Sequence, residues 1–239
     1  MKFICIRYIY PVSYQHIKKG GRMKRFLVAA AGLFLMAISS AYSYDDGDFQ
    51  VWHTETQEKE INNSLKVGLE EEVRFGGSAS ELYYHHYDLG FVKSINKNLD
   101  IGVNYRQVYE KKSGKFKEEN RPHINAVLKT SFLGCQIDDR NRFQYRHFDY
   151  KADLWQYRNK LTVRLPFKFS RFEFKPYISD EVFIDLDDNG LSRNRFYSGL
   201  AFKLFKDLKG EIYYLLQSSK GATHWTDANV LGTKVKLSF

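Results

Sequence analysis

The sequence predicts an all-β protein, a closed antiparallel up-and-down transmembrane β-barrel of about ten strands, with twelve as the alternative. Three observations lead there. From Asp48 onward, apolar and polar residues alternate with a period of two, and no helical spacing is sustained. The alternating segments run to about 14 residues, whereas strands of soluble sandwiches are usually nearer 5–6 and a bilayer crossing takes about 9–11 plus interfacial ends. Finally, the chain carries 17 Tyr and 19 Phe, many near segment ends, where the aromatic girdles of a membrane barrel lie.

The clearest segment is Leu99 to Glu110. Leu99, Ile101, Val103, Tyr105 and Tyr109 share one face, and Asp100, Gly102, Asn104, Arg106 and Glu110 the other. Around Tyr157 the split recurs, with Tyr157, Leu161, Val163, Leu165 and Phe167 opposing Gln156, Arg158, Lys160 and Arg164. It recurs again where Leu231, Thr233, Val235, Leu237 and Phe239 oppose Gly232, Lys234 and Lys236. Strands are expected at 64–76, 82–95, 99–112, 119–133, 135–150, 153–167, 172–187, 191–206, 208–221 and 226–239. Turn residues separate them, among them Gly76-Gly77-Ser78, Lys112-Ser113-Gly114, Leu133-Gly134 and Asn189-Gly190. An eleventh segment, 49–56, would break the even count of bacterial single-chain barrels, so it is expected as a short strand or inward-folded piece at the periplasmic rim. Ten strands would put both ends of the barrel chain on the periplasmic side.

The amino end alters the charge balance. Lys24 and Arg25, the apolar run Phe26 to Ile38 and the small residues Ser39-Ser40-Ala41 have the layout of a secretory signal peptide over 23–43, with cleavage expected after Ala41 or Ser43. The apolar run is too short for a spanning helix. Lys18 to Arg22 would be encoded by a purine-rich run just ahead of an initiator codon, so 1–22 reads as untranslated leader. Residues 44–239 would then be the single barrel domain. Removing Lys2, Arg7, Lys18, Lys19, Arg22, Lys24 and Arg25 from 37 basic residues leaves 30 against 28 acidic ones, so a net charge of +9 falls to +2. The basic balance therefore gives no argument for nucleic acid. Cys135 would remain alone, with no disulfide partner.

The polar face is strongly charged. Glu70, Glu72 and Arg74 share one side of a strand, as do Arg140, Arg142 and Arg146 of another; Arg106, Arg158, Glu181, Arg195, Lys203 and Glu211 join them. Inside a narrow barrel such groups must pair, since an unpaired desolvated charge is costly. The expected lumen is thus filled by a network of Glu70, Glu72, Arg106, Arg140, Arg142, Arg146, Arg158, Glu181, Arg195 and Glu211.

Several short stretches resemble the family catalogued as domain of unknown function 2490, described as outer-membrane barrels. They are Val51-Trp52, Leu69-Glu70-Glu71-Glu72-Val73-Arg74-Phe75, Gly102-Val103-Asn104-Tyr105-Arg106, Asp139-Arg140-Asn141-Arg142-Phe143, Glu181-Val182-Phe183, Asn194-Arg195-Phe196-Tyr197-Ser198-Gly199-Leu200, Tyr213-Tyr214-Leu215-Leu216-Gln217 and Val230-Leu231-Gly232. Each is weak alone; their order from about Phe49 to Phe239 is more specific. The resemblance implies location and architecture and carries no activity or catalytic residue. It also implies that Val235, Leu237 and Phe239 form the aromatic carboxy-terminal strand recognised by barrel-assembly machinery.

Local chemistry is sparse. No histidine has a serine two residues on, as a deacylase pair would. His147 with Tyr145 and Asp149 is the best cluster, expected at the outer rim facing solvent or lipopolysaccharide. His85 and His86 point to opposite faces of a strand and cannot ligate one ion together. Asp185, Asp187 and Asp188 beside Asn189-Gly190 read as a hairpin loop. No cofactor, metal or nucleic acid is expected. The expected partners are outer-membrane lipid, lipopolysaccharide and the assembly machinery. The expected role is structural or narrow passive transport in the bacterial outer membrane, and a lipid-modifying enzyme of deacylase or phospholipase type is the alternative.

Overall fold

A computed structural model describes residues 46–187, 190–221 and 223–239. The proposed leader, signal segment and cleavage points lie outside these residues. Eleven strands follow one another: β1 (Asp48–Asn62), β2 (Leu65–Gly76), β3 (Glu81–Asn96), β4 (Leu99–Lys112), β5 (Lys115–Phe132), β6 (Cys135–Phe148), β7 (Leu154–Arg164), β8 (Lys175–Asp185), β9 (Gly190–Lys203), β10 (Leu208–Lys220) and β11 (Trp225–Ser238). Each pairs antiparallel with the next, and β1 closes on β11 to complete a barrel.

The barrel is the expected one, with one strand more than the ten read from alternation. The segment around 49–56 is not a rim piece; it belongs to a full strand of 15 residues, Asp48–Asn62. An odd number of up-and-down strands sends the first and last in the same direction. Their seam is therefore parallel, with register running from Asp48↔Ala228 to Glu58↔Ser238. Asp48 and Phe239 consequently sit at opposite ends of the barrel, where an even count would have brought them together.

Two of the tight turns show why these sequences reverse the chain. Ser113-Gly114 and Leu133-Gly134 are two-residue hairpin loops with positive φ at both positions (50° and 79°; 49° and 78°), the geometry that follows the strand twist. In other turns a side chain caps the bend: Asn62 Oδ1 accepts the Ser64 and Leu65 amides.

The alternation sorts residues inside out. Outward positions carry exposed Leu89, Phe91, Val103, Ile124, Leu128, Ile178 and Phe196 along the wall. Phe132, Phe167, Phe205 and Phe239 are exposed at one end, and Phe116, Trp155 and Trp225 toward the other. Two outward stretches break this pattern with polar groups. One is His53, Glu55, Gln57 and Lys59 on β1 beside Glu71; the other is the bonded set Asp139, Asn141 and Asn159. Inward positions hold the buried polar and charged side chains.

The lumen is also asymmetric along its length. On β1 the inward residues Asp48, Gln50, Trp52 and Thr54 are buried, whereas Thr56 and Glu58 are only partly so. β11 repeats this, from buried Ala228 and Val230 to half-buried Lys234 and Lys236. Trp52, Tyr177, Tyr197, Tyr213, Leu215 and Val230 pack together inside the wall. Gly232 makes that packing possible, since a Cβ there would fall 2.0 Å from the Tyr213 ring. The barrel is filled toward Asp48 and opens toward Phe239.

Candidate functional site

Among the described residues the lumen holds a concentration of buried charge. On the side formed by β2 to β5, each guanidinium meets carboxylate. Arg106 donates Nε to Asp88 at 2.7 Å and Nη2 to Glu70 at 3.0 Å. Glu70 also accepts from Lys234 of β11 at 3.0 Å. Arg74 donates Nε to Glu72 at 2.6 Å, and its guanidinium lies 3.7 Å from the Trp52 ring centre and 4.0 Å from that of Tyr84. Glu119 receives Arg121 Nε at 2.7 Å, and Arg146 of β6 through Nε at 2.7 Å and Nη2 at 2.9 Å. Charge-assisted bonds of this length are the strong class, and their direction fixes both partners.

The side formed by β6 to β9 differs. Glu181, 1% exposed, accepts Arg140 Nη2 and Arg158 Nη2, each at 2.6 Å on one oxygen, and the Tyr197 hydroxyl at 3.0 Å on the other. Arg195 Nη1 stands 3.9 Å from that second oxygen and donates Nε to Gln217 at 2.8 Å. Strand register sets Arg142 directly opposite Arg158, and Arg140 directly opposite Lys160. Arg142 donates to Asn125 Oδ1 at 2.7 Å rather than to a carboxylate. Lys160 Nζ lies 3.6 Å from the Tyr197 ring centre, and Arg193 donates to Ser219 at 3.1 Å. These groups border a central cavity of about 330 Å³.

Each charged residue expected in the network borders this cavity, and the bonds join them in part. Glu70 and Arg106 are linked, as are Arg140, Arg158 and Glu181. Arg146 goes to Glu119, Glu72 to Arg74 and Glu211 to the Tyr177 hydroxyl at 3.2 Å. Asp88, Glu119 and Arg121 were not singled out from sequence. The signal was present for Asp88, which shares a face with Tyr84 and His86, but it sits in a run dominated by aromatics. Val235 is half-buried, and Leu237 and Phe239 are exposed, on the outward positions of β11.

The remaining candidates separate. His86 is buried in the lumen, while His85 stacks on Tyr109 at 4.7 Å on the outer wall. His147 bonds Asp153 at 2.8 Å rather than Asp149, which instead accepts the Glu118 amide at 3.1 Å. Bonds from His147, from Tyr145 and from the Phe148 amide hold the half-buried Asp153 carboxyl down at about 2. Among the described residues no serine hydroxyl meets His147. Asp185 accepts Gln156 Nε2 at 2.5 Å, Asp187 accepts the Trp155 amide, and Asp188 and Asn189 lie outside the described residues. Among the described residues no group of three His, Cys, Asp or Glu is placed to hold a metal, and Cys135 is a free thiol.

With the barrel and its lumen in view, the comparisons can be placed. A family model described as "Protein of unknown function (DUF2490)" matches residues 49–228. The chain belongs to this family. The match begins within β1 and runs into β11, so it spans the closed barrel and both sides of the lumen. No curated protein and no solved structure matches the chain.

Proposed function

We propose that the chain is an outer-membrane barrel whose lumen is occluded by side chains, with a structural or narrow passive-transport role. The observation that carries this reading is the sidedness of the wall. Exposed Leu, Ile, Val and Phe face outward along the strands, while Arg, Glu and Asp are buried inside. In water this arrangement would expose a large apolar surface and bury costly charge. In a bilayer the first cost reverses, because the wall meets lipid, and the second is offset by the pairs the charges form across the lumen. The even spread of exposed phenylalanines and tryptophans at the two ends suits two interfaces.

In this reading Val235, Leu237 and Phe239 are the outward stripe read by the assembly machinery, and the Phe239 end faces the periplasm. Membrane fractionation and heat-modifiable migration test location and assembly together. The full chain should sediment with outer membranes and migrate as a folded species before boiling; recovery in the soluble fraction would defeat the proposal. Deleting Phe239 should reduce the folded fraction in cells, and unchanged migration would remove the assembly role. Planar-bilayer recording tests the lumen: absence of steps at high protein load fits occlusion, and large regular steps would show an open pore.

A further inference from the structure

The β6–β9 side of the lumen contains an electrostatic imbalance that its own residues do not resolve. Arg140, Arg142, Arg158, Lys160, Arg193 and Arg195 border the central cavity there, and Arg140, Arg158 and Arg195 converge on one carboxylate, Glu181. Two pairs of like charge stand directly opposite one another, Arg142 with Arg158 and Arg140 with Lys160, an arrangement that repels. The aromatic rings beside them do not remove charge. Arg158 lies 4.3 Å from the Phe183 ring centre and Arg195 lies 4.8 Å from Trp52, contacts that favour cations and leave them cationic.

A second observation is independent of this count. Nε of Arg140 and Nε of Arg158 are buried donors with no hydrogen-bond partner, and Arg158 is only 6% exposed. Buried donors are almost always satisfied, so these two leave the cluster short of acceptors, to be met by water or by a bound anion. On the opposite side of the lumen His86 Nε2 and His123 Nε2 also lack a hydrogen-bond partner, so the contrast between the sides lies in their charges. Arg106 and Arg121 also face each other across β4 and β5, yet Arg106 has Asp88 and Glu70, and Arg121 has Glu119.

The cluster also has an approach. Arg164, Lys175, Lys203, Lys209 and Lys236 border a second cavity of about 430 Å³ toward the Phe239 end. That cavity shares Arg164, Glu211 and Lys234 with the central one, so the two adjoin. A basic mouth thus leads to a basic floor. Such a track draws in anions and retains those that accept several donors at once.

We propose that Arg140, Arg142, Arg158 and Lys160, with Glu181 as their fixed orienting carboxylate, form a binding site for a phosphate-type oxyanion entering from the Phe239 end. Planar guanidinium groups match tetrahedral oxyanions through paired donors. Free phosphate and a phosphorylated lipid headgroup share this chemistry.

The test uses the full chain folded in detergent, titrated with inorganic phosphate in one arm and short-chain phosphatidic acid in the other, at ionic strength held constant with chloride. Calorimetry should give saturable binding in at least one arm, which also names the source of the ligand. Arg142→Gln and Arg158→Gln should each weaken binding at least tenfold. In phosphate-free chloride Arg142→Gln should melt at or above the wild-type temperature, since it removes one of two opposed like charges and breaks no carboxylate pair, whereas Arg158→Gln also loses its bond to Glu181 and should melt lower. Were Arg142 purely structural, its variant would melt lower too. Lys129→Gln, paired with Asp100 elsewhere in the lumen, should bind as the wild type does. Should one arginine variant fail to fold, the other and Lys160→Gln carry the comparison. Saturable binding in neither arm, or wild-type affinity in the folded arginine variants, would overturn the site. Binding in detergent is independent of cellular location, so failure here leaves the membrane reading intact, and failure of that reading leaves this one.

Discussion

On the β2–β5 side of the lumen the cations are matched by Glu70, Glu72, Asp88 and Glu119, whereas on the β6–β9 side at least four cations share Glu181. The strands on both sides have the same alternation and comparable length, and both place arginines face to face across a strand pair. What differs is the supply of carboxylates on the adjoining strands. The matched side has the composition of a self-contained brace; the unmatched side has that of a receptor for an anion. Breaking a buried pair by removing one partner costs far more than the pair contributes over an apolar isostere, and this asymmetry makes the two sides separable by mutation.

The largest effect is expected from Glu181→Gln. It strips the carboxylate from Arg140, Arg158, Lys160 and Arg195 together, and should destabilise the barrel by about 3–5 kcal/mol, read from urea unfolding in detergent. A midpoint equal to wild type would mean that these cations are already neutralised by other means. Next comes Asp88→Asn on the matched side, expected to cost about 2–3 kcal/mol because Arg106 keeps Glu70. The double variant Asp88→Leu with Arg106→Met should recover much of that loss, and a strictly additive double would argue against a brace. Smaller and opposite in sign is Arg142→Gln, which relieves Arg158 and should raise stability by up to about 1 kcal/mol in phosphate-free buffer; a fall would place Arg142 among the structural pairs. The smallest effect lies at the rim. Asp153 is held below its ordinary value of 3.8, so its contribution is complete above that pH and is lost as pH falls toward about 2. Asp153→Asn should flatten the acid limb of the stability profile in that window, without altering the profile near neutrality.

Much of the architecture was legible because a closed barrel writes its inside and outside onto alternate residues. Leu99 to Glu110 and Leu231 to Phe239 needed no more than that period of two. β1 was not legible as a full strand, and the reason is local. Beyond Val51 its outward residues are His53, Glu55, Gln57 and Lys59, polar like the inward face, so the contrast between faces disappears. What makes it a strand is tertiary: without it β2 and β11 would each present an open edge. For the site, alternation identified which charges face inward but not their partners. Arg140 of β6 reaches Glu181 of β8 across the intervening β7, a span set by side-chain length and barrel curvature. Alternation starts this strand at Glu119, whereas β5 begins at Lys115, paired with Lys112 across the turn.

The parallel seam has a consequence for how the protein is made. Every other strand pair joins neighbours in sequence, but His53 and Thr233, bonded across the seam at 2.8 Å, are 180 residues apart. Ten hairpin-like steps can proceed as the chain emerges, while closure waits for the last strand and is the non-local step that topology makes slow. Until then β1 and β11 are unsatisfied edges on a long, outwardly apolar sheet, the form most apt to pair with a second chain. Removing Asp48–Asn62 would leave β2 and β11 as the two edges of a ten-stranded sheet, running antiparallel, so closure would have to be rebuilt with a new register across an interface the sequence was not matched to.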